Sequence, residues 1–213
     1  VFCGSSPSVG VPAARMSKDD DISQRLLEGD TYEKAQVTVR RTFDLPLDRK
    51  IAATAGVLWA SVLVGPAATY SRELVRTVEP GVDPTGVYSP RIGILALYGV
   101  LVTFTTGLLL VRHRRIVERR SLTEEQARRL VRIEDLITWF ALLGATFVAV
   151  AVASTLAGAV TPGAVRTLYD HGIVLYQPSG VVRVDVRLVS LLGGVLAAAL
   201  SALWALPTSG DGG

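Results

Sequence analysis

The side chains best suited to chemistry are thinly spread in this chain. It holds two histidines, His113 and His171, and one cysteine, Cys3. A metal site needs several ligands converging on one point, and neither histidine has a companion at ligand spacing. Asp170-His171 has the composition of a general-base pair, but a serine hydrolase also needs a placed nucleophile, and no nucleophile-elbow pattern occurs. A loop dipeptide is the plainer reading. There is no phosphate-binding loop and no glycine-rich dinucleotide fingerprint after a strand-like run. The expectation is a non-enzymatic protein with no catalytic residue, cofactor or metal.

The elements that would have to position such residues are read from hydropathy. Of 213 residues, 49% are hydrophobic and 19% charged, with mean hydropathy +0.39. Soluble chains carry about 25% charged residues. Here the apolar residues gather into four blocks, 51–70, 92–111, 137–157 and 188–207, none with an Asp, Glu, Lys, Arg or His. About 20 helical residues cross a hydrocarbon core of roughly 30 Å. The fold class that follows is an all-α integral membrane protein with four transmembrane helices. Proton pumps, voltage sensors and charged-substrate transporters keep ionisable residues within the membrane, so blocks of this kind argue against those classes.

Orientation follows from the flanking cations, because short cytoplasmic loops collect Lys and Arg. Lys34, Arg40, Arg41, Arg49 and Lys50 precede the first block, and eight arginines separate the second from the third: Arg112, Arg114, Arg115, Arg119, Arg120, Arg128, Arg129 and Arg132. The other side has only Arg72, Arg76, Arg91, Arg166, Arg183 and Arg187. Both termini are therefore expected in the cytoplasm of a cell membrane. Trp139 and Trp204 would lie near that interface, and Trp59, in mid-block, would be a packing residue. Arg outnumbers Lys by 19 to 3, which suits a GC-rich archaeal or bacterial genome.

Helices in lipid are held together by close packing of small residues. The third block offers Ala141, Ala145, Ala149, Ala153 and Ala157. The fourth offers two columns, Ser190, Gly194, Ala198, Ala202 and Gly193, Ala197, Ser201, Ala205. Gly99, Thr103 and Gly107 mark the second, and Ala52, Gly56 and Ala60 the first. These columns predict small-xxx-small seams, with the third and fourth helices as the tightest pair. Thr103, Thr106, Ser190 and Ser201 either serve that packing or line a pore. Pro66 should kink or end the first helix.

Outside the membrane, Ser121-Leu-Thr-Glu124 has capping-box spacing, so a cytoplasmic helical hairpin is expected to join the second and third helices. Residues 112–136 carry a net charge of about +3, and arginines at headgroup height draw anionic lipid at roughly 1 kcal/mol each. The eight arginines between the second and third blocks are thus candidate contacts for lipid or for an acidic partner. Nucleic acid is not expected, since the patch lacks aromatic residues for stacking. Residues 173–176 and 181–186 alternate like strands around Gln177-Pro-Ser-Gly180, predicting a small extracytoplasmic β-hairpin.

Before the first block, residues 16–50 form a polar segment with a short helical pattern at Ile22, Leu26 and Leu27, then a weak alternation over 37–43. It is too small to own a core. Met16 followed by an acidic run reads as a start, which would make residues 1–15 non-native or upstream; residues 208–213 form a flexible tail. Taken together these features suggest a scaffold or accessory subunit of a membrane assembly, in contact with the bilayer, its anionic lipids and a membrane protein partner. The alternative is a homo-oligomeric channel or uniporter for a small neutral solute.

Overall fold

The computed structural model describes residues 31–39, 42–70, 90–119, 122–173 and 185–206. All regular elements among them are helices: α1 (Thr31–Thr38), α2 (Leu47–Val62), α3 (Val64–Tyr70), α4 (Pro90–Arg119), α5 (Glu124–Val160), α6 (Pro162–Asp170) and α7 (Val186–Ala205). Four stretches are long and apolar enough to cross a membrane: Leu47–Ala68, Ile92–Arg119, Glu124–Ala157 and Arg187–Ala205. Their outward faces carry large apolar side chains; Leu191 is 69% and Val195 65% exposed. Such faces are stable where the surrounding solvent is hydrocarbon. Trp59 belongs to that outer face at 50% exposure, so it does not pack inside the bundle as its mid-block position suggested.

Glycine decides which helices touch most closely. A Cβ on Gly144 of α5 would lie 3.2 Å from the Gly99 carbonyl oxygen and 3.0 Å from the Thr103 nitrogen of α4. The two backbones are in contact, and only glycine permits that approach. The expected column Gly99, Thr103 and Gly107 is buried throughout, with Gly107 against Leu200 of α7 and Thr54 of α2. The expected pairing of third with fourth helix is not found. α7 rests on α2 and α4, whereas α5 and α7 scarcely meet. Accordingly Ala149 and Ala153 are exposed, and the buried line of α5 runs through Gly144, Val148, Ala151 and Thr155. Ala52 and Gly56 also face outward. Alanine sits in lipid at little cost, so a column of small residues marks a possible seam without selecting the one used.

Pro66 bends the first crossing rather than ending it. α2 stops at Val62, Leu63 turns, and α3 continues. Proline has no N–H, which leaves the Val62 carbonyl without its usual helical donor. Ser190 of α7 fills the gap: its hydroxyl donates to the Val62 oxygen at 2.9 Å and accepts the Gly65 N–H at 2.7 Å.

At the opposite end of α5 from its Thr123 cap, α6 closes with Gly172 at φ 77°, while the Gly172 and Ile173 amides donate to the Tyr169 and Leu168 carbonyls. That is a Schellman closure, which requires the left-handed conformation glycine adopts freely. Ile173 therefore finishes a helix cap, and Val186 begins α7 behind the Asp185 N-cap. Both outer positions of the expected β-hairpin are taken by helix ends. Its remaining residues, 174–184, lie outside the described residues, and no strand occurs among those described.

Candidate functional site

The arginine hairpin is the continuation of α4 and α5 beyond their apolar stretches. α5 begins at a capping box two residues later than expected: the Thr123 hydroxyl accepts the Gln126 N–H, and the Gln126 side chain accepts the Thr123 N–H. Arg114 pairs with Glu118 at 2.7 Å and with Asp48 at 3.0 Å, and Arg128 pairs with Glu124. Arg115 reaches across the bundle and donates to the Leu203 carbonyl at 3.0 Å. Leu203 is in the last turn of α7, where carbonyls lack helical donors and a cation opposes the dipole. Arg112, Arg119, Arg129 and Arg132 are exposed, and Arg120 lies outside the described residues. The eight arginines thus divide into structural ties and open cations.

Beneath this surface lies a cluster that sequence reasoning did not find. Lys50 from α2, Glu134 from α5, His113 from α4 and Tyr32 from α1 meet at one point, each no more than 6% exposed. The Lys50 ammonium donates to Glu134 Oε1 at 2.6 Å. The Tyr32 hydroxyl donates to Glu134 Oε2, and His113 Nε2 lies 2.9 Å from the same hydroxyl. A phenol has one proton. Since that proton goes to the carboxylate, the His113 Nε2–H must donate to the phenolic oxygen. The network fixes this ring nitrogen as the protonated one.

Each member sits where its helix would otherwise place an apolar residue. Glu134 shares a face of α5 with Ala127, Val131 and Ile137, all buried. His113 follows Thr103, Thr106 and Leu110 down the inner face of α4. A charge on an otherwise apolar helical stripe is the signal the sequence carried. Residues 137–157 excluded Glu134 by a single turn, and 92–111 excluded His113 by two residues, so the absence of ionisable groups held only for the blocks as drawn. His113, expected to have no companion, has three. None is a near neighbour in sequence: Tyr32 is 81 residues away, Lys50 63 and Glu134 21.

The cluster fastens the N-terminal segment. Tyr32 and Ala35 pack on Ala127 and Val131, with Val117, Leu122 and Leu130 beside them. Further along, the Thr42 N–H donates to Asp135 Oδ2 at 3.4 Å, and Phe43 meets Trp139 edge-on at 5.2 Å between ring centres. The weak alternation read over 37–43 gives way to helix as far as Thr38. This segment needs no core of its own because α5 supplies one.

The remaining polar candidates are mostly engaged with backbone. Thr106 donates to Val102 and Thr103 carbonyls, and Ser190 serves the Pro66 bend. Thr103 Oγ1 is buried with no hydrogen-bond partner, and Ser201 is half-buried. His171 caps α6, its Nδ1–H donating to the Thr167 carbonyl at 2.7 Å, which explains the Asp170-His171 dipeptide as a helix end. No group of three or more potential metal ligands converges among the described residues. Comparison with protein-family models, curated proteins and solved structures finds no match.

Proposed function

We propose that this chain is a non-enzymatic scaffold or accessory subunit of a membrane assembly, placed in the cell membrane with both termini in the cytoplasm. The observation that carries the reading is the buried Tyr32–Glu134–Lys50–His113 cluster, which joins α1 to the extended ends of α4 and α5. Those three elements become one preformed surface outside the membrane, with Arg129 and Arg132 open on it. A rigid cationic platform suits docking, since little ordering entropy remains to be lost when an acidic partner or lipid surface binds. The cluster itself is closed to substrate, which favours a fastening role over a reactive one.

Gentle extraction of the tagged protein from its own membrane, followed by mass and composition of the complex, tests this reading. A stoichiometric foreign partner is expected, and Arg129→Glu with Arg132→Glu should release it. Unchanged co-purification of the double variant would sink the docking surface.

The channel reading keeps one supporting observation, the unpartnered hydroxyl of Thr103. A pure homo-oligomer on extraction would favour it. Thr103→Leu with Ser201→Leu should then abolish solute flux, whereas in a scaffold only stability would change.

A further inference from the structure

Between the extended ends of α4 and α5 lies a cleft of about 630 Å³, walled by Ile116, Leu122, Leu130 and Ile133 and bordered by Arg119 and Arg129. Ile116 and Ile133 form its inner wall, Leu130 lies beside Arg129, and Leu122 stands beyond Arg119. Ile116 and Ile133 stand five and four residues beyond the apolar blocks that end at Val111 and begin at Ile137, and both arginines stand eight residues beyond. At 1.5 Å per residue the apolar walls begin about 6–8 Å outside the hydrocarbon and the arginine backbones about 12 Å outside. Long guanidinium side chains reach back toward the headgroup layer, which is roughly 5–8 Å deep.

Two further features give the cleft its sign and its ligand class. No acidic side chain lines it, and neither guanidinium pairs with an acid among the described residues, unlike those of Arg114 and Arg128. Ile133 is 41% and Leu136 57% exposed, so the apolar wall opens without interruption onto the lipid-facing side of α5. An occupant must therefore be anionic at the outer end and hydrocarbon at the inner end.

We propose that this cleft holds one anionic phospholipid per chain, its phosphate between Arg119 and Arg129 and the glycerol end of an acyl chain against Ile116 and Ile133. The site rests on the membrane placement proposed above and is independent of any partner protein. Guanidinium groups match phosphate oxygens with paired N–H donors, and two of them facing one cleft favour phosphatidylglycerol over zwitterionic phosphatidylcholine.

The test uses the full chain in nanodiscs of phosphatidylcholine containing a minor fraction of phosphatidylglycerol, with retained lipid counted by native mass spectrometry. One phosphatidylglycerol per chain is expected. Arg119→Ala with Arg129→Ala should lower its retention about 30-fold, the effect of two headgroup contacts. Arg112→Ala with Arg132→Ala removes the same charge outside the cleft and should change retention less than about threefold. Equal losses in the two double variants would reduce the site to diffuse attraction and overturn it. Release of the lipid by inorganic phosphate alone would also overturn it, by identifying a free-anion site. Quenching of tryptophan fluorescence by brominated phosphatidylcholine reads the membrane placement separately. Quenching without phosphatidylglycerol selection rejects the cleft alone, and absence of quenching rejects the placement beneath it.

Discussion

Lys50 Nζ lies 2.6 Å from Glu134 Oε1, and the two side chains are 3% and 0% exposed. Removing a buried pair from water costs several kcal/mol per ion, which close approach and further hydrogen bonds must offset. Glu134 has those further bonds from Tyr32. Loss of one partner strands the other charge. Glu134→Gln or Lys50→Met should each destabilise the protein by about 3–5 kcal/mol. Lys50→Met with Glu134→Leu should recover much of that loss. Thermal unfolding in a mild detergent gives the order, and a double variant weaker than both singles would show that the pair is not the coupled unit.

Tyr32→Phe keeps the ring packed on Val131 and removes only the hydroxyl that joins His113 to Glu134. An eight-residue helix has little stability alone, so α1 should open more often while the bundle holds. A buried hydrogen bond to a charged group contributes about 1.5–3 kcal/mol. Faster amide exchange confined to residues 31–38 is the expected signature, and exchange unchanged there would mean that Ala35 and its apolar neighbours suffice.

The two glycines Gly144 and Gly56 should respond in opposite directions to alanine. At Gly144 the new Cβ would fall 2.6 Å from Thr103 Oγ1 and 3.0 Å from backbone, forcing α4 and α5 apart. Overpacking of this kind costs about 1–3 kcal/mol. At Gly56 a Cβ meets nothing within 4 Å, and alanine in a helix is favoured over glycine by up to about 1 kcal/mol. Melting temperatures of the two variants should bracket that of the parent.

Ser190→Ala should weaken the Pro66 bend by about 1 kcal/mol, the ordinary net worth of a hydrogen bond. In a Pro66→Ala background the helix regains its own N–H for the Val62 carbonyl, so the same serine change should cost less. A double-mutant cycle on unfolding midpoints reads that coupling directly. Additive effects would show that the serine acts elsewhere.

How much of this was legible beforehand differs from residue to residue. The four crossings were, because mean hydropathy over about 20 residues depends on composition and not on neighbours. Of three opposite-charge pairs at four-residue spacing, Arg114–Glu118 and Arg128–Glu124 form, whereas Glu125 and Arg129 do not pair, because that spacing allows a meeting on a helix without requiring it. Gly99 and Thr103 lie on the α4–α5 seam and Gly107 against α7 and α2, while Ala149 and Ala153 of the equally regular α5 column face outward. Spacing names a face of a helix, and nothing local says which neighbour will cover it.

The sequence by itself determined four helices long and apolar enough to cross a membrane, a charged hairpin and the helix-bending proline, because each is a property of one continuous segment. Only the tertiary structure decided that α5 packs on α4, that Ser190 serves the Pro66 bend, and that Tyr32, Lys50, His113 and Glu134 share one buried site. Those relationships join side chains from separate helices. They exist only once packing has brought the helices together and removed the water that would otherwise keep each polar group apart.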